Sequence, residues 1–480
     1  MAESAFAEIP FSATEASGLE PLAGAAPTMV NMLTDTSGAT KMRPTVQTWA
    51  SFPSVLPQTS PVDGMVPFGD NTLVYATRDR KLWSLNVLNG SNVALSSATL
   101  TTQLAGTAKP MLLPLRTKVV IVGGDAPETT DAVNPATRLG GSPPAATHAV
   151  GIATRVVLKV ADASGIIRWS GLGDTGHSVW DALNFLEAEA KPDALRALWD
   201  NTNELFAFGA ETLQVFSPDA VVGFAAGRTL NVGLLAAYSV VRVDDLFAFL
   251  DREKRFVLTD GRSFGPDNVI SLPIESDLRA IDTVSDCFGF RMKTDRWDAC
   301  VWFFPTSGRG FVYDLRGQRW SEWRSWNMAT GEYAPPNITS AVAWPERNLF
   351  LVGLSTGQIA QLGIGTGSDL GTTVKVELVT GFVDHGTDNQ KQHVQSVFTF
   401  KRGQAAQDSA APQVLVSWRD DTDSYVPPRI FTLGTGGDYV SDIPLRSTGV
   451  YRRRQWKVEF TSAADFTFMG AREEFRVLNT

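Results

Sequence analysis

The sequence predicts an all-β protein: a β-propeller of six or seven blades, preceded by an extended N-terminal arm and followed by a C-terminal β-sandwich-like domain. Three observations carry this. A hairpin unit recurs along the middle of the chain, strict two-residue alternation marks the last hundred or so residues, and helical periodicity is scarce.

The hairpin unit is plainest around Trp199. An apolar run reaches a polar turn at Asp200 to Glu204, an alternating strand follows from Leu205 to Phe208, and a glycine turn leads to a second strand, Leu213 to Phe216. Similar pairs start near Leu73, Val119, Val157, Leu246, Val301 and Leu349. These starts recur at a mean step of about 46 residues, close to the period of a four-stranded propeller blade. A hairpin cannot bury its apolar face alone. Radial stacking on like neighbours buries that face and protects the sheet edges.

In chain order, residues 1–60 are rich in Ala, Ser, Thr and Pro with little periodicity, and read as an extended arm lying on a neighbour or on the propeller surface. The propeller is expected over 61–370. Within it, Ala126 to Ala146 is a polar Pro- and Gly-rich stretch that reads as an insertion, an interaction element or disordered. Val179 to Ala190 has good helix formers but runs into Pro192, and reads as a short helix or as an extended loop over a blade. After Gly363 the stretch IGTGSDLGTT is a linker. Beyond it Val374, Val376 and Leu378 share one strand face, as do Val414, Val416 and Trp418, then Trp456, Val458 and Phe460. These strands predict the sandwich over 371–480.

Charge and composition bound the function. A formal net charge of −9 opposes long-range attraction to nucleic acid, whose phosphates are gathered mainly by Lys and Arg clusters. No run approaches the roughly 18 apolar residues of a spanning helix, and the first residues lack the basic start and apolar stretch of a signal peptide. The cysteines, Cys287 and Cys300, flank the turn Lys293 to Arg296. A symmetric hairpin would pair Cys287 near Trp302, so both read as free buried thiols of a protein assembled in a reducing cytoplasm.

Several motifs invite chemistry. Gly171, Gly173 and Gly176 spell GxGxxG, but the flanking segments are hairpins where a dinucleotide site needs βαβ units, so a local turn is the preferred reading. His148, His177, His385 and His393 show no metal-binding spacing; exposed strand histidines are the default reading, although His385 and His393 could meet across a hairpin. Asp244, Asp245, Asp260, Asp282 and Asp286 lie near turns, where a carboxylate caps backbone amides; a glycosidase pair would need two of them across a cleft. Trp297, Trp302, Trp320, Trp323 and Trp326 read as core packing between blades rather than a sugar-stacking platform. Arg452, Arg453, Arg454 and Lys457 form the basic cluster and the candidate interface. They would contact phosphate or an acidic neighbouring subunit, or stand as a solvated strand edge that resists pairing. The expectation is no catalytic residue, no cofactor and no metal.

Four segments add a resemblance. Val30 to Leu33 (VNML) is followed by Arg43 to Pro53 (RPTVQTWASFP). Ala188 to Phe216 carries an acidic turn and a Pro-Asp pair before a strand closing near Gln214. Gly310 to Trp323 (GFVYDLRGQRWSEW) and Tyr451 to Val477 (YRRRQWKVEFTSAADFTFMGAREEFRV) complete the set. In order and spacing they resemble the tail nozzle proteins of short-tailed bacteriophages, also called packaged-DNA stabilisation proteins or tail accessory factors. Gln214 stands where that family has Glu. The resemblance implies a non-enzymatic homohexameric tube of the virion tail, assembled in the host cytoplasm. Such a tube sits beneath the head-to-tail adaptor ring on the portal, offers surfaces to tailspikes or tail fibres, and is plugged by a needle or gate. It would retain packaged genomic DNA and conduct it at ejection without binding it tightly. The alternative is a propeller enzyme or lectin acting on surface glycans, depolymerase-like, and behind it a cellular propeller scaffold.

Overall fold

A computed structural model describes residues 4–11, 28–36, 38–49, 56, 58–95, 109–162, 165–188, 193–363, 367–401, 411–421, 424–433 and 440–478. Strands dominate it, and the propeller is its body. Antiparallel sheets occupy 62–94, 111–138, 146–187, 195–230, 241–259, 288–322 and 338–363. Among the described residues six of these are four-stranded and the fifth in order has three strands, seven blades in all. Each hairpin start read from the sequence falls on the second strand of its blade: Thr72–Thr77, Val119–Val122, Arg155–Val160, Leu205–Gly209, Leu246–Leu250, Asp298–Phe304 and Leu349–Leu354. A second strand has a hydrogen-bonded neighbour on each side and a blade on each face, so it is buried nearly throughout and reads as a continuous apolar run.

The ring is closed by chain from before the first blade. Thr45–Gln47 is the outermost strand of the seventh blade, with Gln47 opposite Gln361 and Val46 opposite Leu362. At the opposite edge of that sheet, the Thr339 and Ser340 hydroxyls of the seventh blade donate to the Val62 carbonyl of the first, at 2.7 and 2.5 Å. Large side chains fill the spaces between blades. Phe206 and Phe208 of the fourth blade point one way onto Phe247 and Phe249 of the fifth, while Phe216 points the other way into the core shared with the third.

Two sheets form the sandwich. One runs in the order Met32–Thr34, Thr40–Met42, Thr467–Val477, Lys391–Lys401 and Val440–Arg446; the other holds Thr28–Val30, Val376–Val379, Arg454–Phe460, Gln413–Asp420 and Arg429–Thr432. Phe398, Phe400, Val414, Val416, Trp456, Val458 and Phe460 pack between them. The second sheet is continuous with the sixth blade, because Val30 pairs in parallel with Glu322.

Three expectations change. The described part of residues 1–60 supplies strands to both sandwich sheets and to the seventh blade, in place of an arm lying on a surface; residues 12–27 and 50–55 of that stretch lie outside the described residues. Ala126 to Ala146 is no insertion, since Glu128–Thr130 and Thr137–Arg138 are the third and fourth strands of the second blade. Both strands read as loop because their residues are polar, although Glu128 and Thr130 are buried and only Thr137–Arg138 faces water. In Val179 to Ala190, a connecting loop leads into Phe185–Glu187, the fourth strand of the third blade; residues 189–192, and 364–366 of the linker, lie outside the described residues. Among the described residues no helix is long and apolar enough to cross a membrane.

Candidate functional site

Side chains cross the propeller axis. Lys109, at the entry to the second blade, donates through Nζ to the Thr339 carbonyl of the seventh and lies 3.2 Å from the Phe288 ring centre of the sixth. Its own carbonyl accepts from Tyr238 Oη at 3.1 Å, and Tyr238, at the fifth blade, stacks on His148 of the third with ring centres 5.3 Å apart. Blades three places apart in the ring can touch only across its centre. Burial lowers the Lys109 ammonium to about 7, with Asp63 of the first blade opposing that shift. Burial also lowers His148 to about 3, helped by the neighbouring Lys159 charge, and raises Tyr238 to about 12. Among the described residues, side chains from opposite blades thus meet across the axis.

A second constellation joins propeller to sandwich. Asn31 sits in the left-handed region (φ 59°), a conformation Asn tolerates better than most residues. Its Nδ2 donates to the Arg324 and Lys375 carbonyls at 3.0 and 2.7 Å, and its Oδ1 accepts from Arg43 Nε at 2.8 Å and from the Arg324 amide at 3.0 Å. Arg43 is buried, forks onto both oxygens of Asp369 at 3.1 and 2.6 Å, and lies 4.3 Å from the Trp323 ring centre. Asp314 Oδ2 accepts the Thr34 amide at 2.6 Å. Sequence reasoning passed over Asn31 and Arg43 as junction residues; the signal was an Asn standing alone within the apolar run Met29 to Leu33, and an Arg directly before Pro44.

The basic cluster divides. Arg454 is fully buried inside the sandwich, forked onto Asp420 at 2.6 and 2.8 Å, with Tyr451 beneath its guanidinium at 4.1 Å. It is not a surface residue, so it drops out of the candidate interface. Lys457 is half-buried between Glu459 and Glu377 at 3.2 and 3.8 Å. Arg453 lies 4.0 Å from Asp421, and Arg452 is exposed. Alternation explains this: Arg454 begins the strand whose inward positions continue at Trp456, Val458 and Phe460.

Beside Arg454, Glu473 is buried. Burial alone would raise its carboxyl, but hydrogen bonds from His385 and Tyr451 and the Arg454 charge hold it below the usual carboxylate range. His385 Nε2 lies 3.3 Å from one oxygen; Tyr451 Oη donates to the other at 2.7 Å, and His393 Nε2 stands 3.8 Å from it. The two histidines therefore meet at one carboxylate, with Arg454 Nη1 3.9 Å away where a cation would otherwise sit. Among the described residues no group of three His, Cys, Asp or Glu is arranged to hold a metal ion.

The remaining motifs resolve locally. In the GxGxxG stretch, a Cβ on Gly176 would meet the Gly171 carbonyl carbon at 2.6 Å, so these glycines permit a tight turn. His177 is buried, with Nε2 3.1 Å from the Thr154 carbonyl, and His148 and His393 are buried as well, so these are not the exposed strand histidines expected. Asp244 pairs with Arg291 at 2.7 Å; Asp260 and Asp286 accept the Arg262 and Thr306 amides at 2.8 and 2.7 Å; Asp282 is exposed. Asp245 and Asp260 share an open groove of about 640 Å³ with Glu204, which Arg228 holds at 2.7 Å. Trp297, Trp302, Trp320 and Trp323 are buried, and Trp326 is half-buried against Tyr333. Cys287 and Cys300 are buried free thiols, raised by burial. The ladder pairs Gly289 with Trp302, two residues away from the symmetric register.

No protein-family model matches this chain, and no curated protein is similar to it. Among solved structures it is similar to the computationally designed Ika8 protein, at 13% identity over 67% of this chain and 100% of that one, with a TM-score of 0.38. It is also similar to the WD40 β-propeller domain of Doa1 (11% identity, 65% and 95% covered, TM-score 0.41) and to YCF48 bound to a D1 peptide (12%, 66% and 97%, 0.40). The fold assignment rests on the sheet topology of this chain: a β-propeller joined to a two-sheet sandwich.

Proposed function

We propose that this protein is a structural virion component, the hexameric tail nozzle of a short-tailed bacteriophage, which closes the portal channel over packaged DNA and conducts the DNA at ejection. The observation that carries the reading is where the resembling segments lie. The Asn31 amide of the first segment donates to the Glu322 carbonyl of the third at 2.8 Å, and Arg43 lies over its Trp323 ring. Thr40–Met42, the strand between the two parts of the first segment, pairs with Thr467–Val477, the strand that ends the fourth. Chain more than 400 residues apart in sequence thus meets beside these segments, which favours a shared architecture over scattered chance similarity.

In this reading the DNA conduit is the space enclosed by six copies. The partners are the adaptor ring above, a tailspike or fibre at the side, and a needle or plug below. A phage lacking the protein is expected to fill heads and then leak them; particles that keep full genomes and full infectivity without it would overturn the assignment. Electron microscopy of assembled tails should show six copies around the axis. The second reading, a glycan-active or glycan-binding propeller, is favoured only by the carboxylate-lined groove at Asp245 and Asp260. Cleavage or tight binding of surface oligosaccharide by the isolated protein would establish it in place of the nozzle.

A further inference from the structure

The structure carries an apolar knob and a matching hole on the same end of the propeller. The knob is the tip of the hairpin joining the third and fourth strands of the fourth blade. Val221 is 91% exposed and Val222 60% exposed. Both amides are held by Asp219 Oδ1, at 2.7 and 2.9 Å, so the tip is a capped turn. Gly223 behind it (φ 83°) lies so close to Trp169 of the third blade that a Cβ would meet the indole at 2.7 Å, which seats the hairpin against its neighbour. The corresponding connection of the third blade adds Leu172, Val179 and Leu183, each more than half exposed. Five large aliphatic side chains on two adjacent connections make a patch rather than scattered exposure.

The hole is a cavity of about 540 Å³ between the sixth and seventh blades. Its floor is apolar, with Trp297, Leu349, Phe350 and Leu362, and its rim carries Lys293 and Arg296. The Trp297 indole N–H is buried and has no acceptor among the described residues. Trp83, Trp199, Trp344 and Trp456 are in the same state, but Trp297 lines this cavity, where the backbone carbonyls of a docked turn would satisfy it.

Topology places both features at one level. In an antiparallel meander the connections between strands one and two, and between strands three and four, lie at the same end. The hole is formed around the first connections of the sixth and seventh blades, 294–297 and 345–348, and the knob is a third connection. Around the ring they stand two and a half blades apart, about 130°. Two different patches at one level, neither coincident nor diametrically opposed, are what a closed ring requires; a six-membered ring turns through an interior angle of about 120° at each copy. The rim carries Lys293 and Arg296 against Asp295, a net positive charge that the Asp219 carboxylate on the knob complements.

We propose that the Val221–Val222 hairpin tip of one copy docks into the Trp297 cavity of the next copy of this chain, as the repeated contact of the ring. This rests on the reading of the protein as a ring-forming nozzle, and deepens it by naming the two faces. The test uses the purified full-length chain at high concentration, with Val221→Cys and Asp295→Cys introduced on the knob and the rim, under mild oxidation. The double variant should link into a ladder ending at a closed hexamer. Mixed single variants should stop at linked pairs, and the parent chain, whose thiols are buried, should not link. Val221→Asp with Val222→Asp should abolish assembly while leaving the melting temperature unchanged. Six-fold rings that never link would overturn the docking and leave the nozzle reading standing. Efficient linking of Val221→Cys to itself would show a face that meets its own kind, and would also overturn it. A ladder running past six would keep the contact and remove the closed ring, and the absence of both links and rings would remove both.

Discussion

Arg454 and Asp420 face each other across paired sandwich strands, with Nε and Nη2 reaching the two carboxylate oxygens at 2.6 and 2.8 Å. The guanidinium is fully buried, with the rings of Tyr451, Trp456 and Trp418 at 4.1, 5.2 and 5.7 Å. Arg454→Met leaves Asp420 unpaired and Glu473 short of its cation. Breaking one side of such a pair costs about 3–5 kcal/mol, so the urea midpoint should fall markedly. Arg454→Lys should not restore it, because an ammonium cannot make the two-pronged contact. Arg453→Ala, on the exposed side, should change stability by less than about 0.5 kcal/mol. Equal effects at 453 and 454 would contradict the strand's inward face.

Most of the propeller was legible, because its second strands are apolar on both faces: Leu205 to Phe208 and Val119 to Val122 stand out in any window. What was hidden is what is built from polar residues or spans long separations. Glu128–Thr130 reads as loop since its residues are polar, although Glu128 and Thr130 are buried. The closing strand Thr45–Gln47 is three residues long, and its partner lies more than 300 residues away. The basic run shows the same limit from the other side. Alternation from Trp456 backward puts Arg454 indoors, but charge type outweighed register, and the compensating Asp420 sits on another strand.

Acid should destabilise the protein from near neutrality downward. His393 is neutral in the fold: its Nδ1 accepts the Thr448 amide at 3.2 Å and its Nε2 lies 2.8 Å from Ser396 Oγ. Burial lowers it to about 4, against the opposing effect of Glu473. A folded value below the unfolded one, about 6.5, contributes stability that is full above about 6.5 and lost as pH falls through 4. Glu473, also lowered, loses its contribution at still lower pH. Urea midpoints measured from pH 7.5 to 4 should fall steadily, and His393→Gln should flatten the upper part of that curve. A midpoint constant from 7 to 5 would show that His393 is solvated.

Phe208 should be a stability determinant of the ring. It is fully buried, 5.1 Å from Phe249 and 6.1 Å from Phe247 between ring centres, in the layer between the fourth and fifth blades. Phe208→Ala removes a large side chain from a packed layer and should cost about 3–5 kcal/mol. Phe185→Ala, at a residue 45% exposed on the outer strand of the third blade, is the control and should cost much less. A loss under about 1 kcal/mol at Phe208 would mean that the blades are not packed through it.

Duplex DNA should bind the isolated protein weakly. Acidic residues exceed basic ones, 51 against 42, and much of the basic cluster is already committed: Arg454 to Asp420, Lys457 to Glu459 and Glu377. Arg452 and Arg453 remain accessible, too few to release many counterions from a duplex. A conduit that gripped phosphates with many cations would resist ejection; walls that attract weakly let the genome slide. Titration at about 0.15 M salt, where charges are screened over about 8 Å, should give a dissociation constant well above micromolar. Arg452→Ala with Arg453→Ala should leave it unchanged, and this pair is the correct probe because replacing Arg454 as well would damage the sandwich core. Sub-micromolar binding that the double variant loses would make these two arginines a DNA clamp and end the sliding-channel reading.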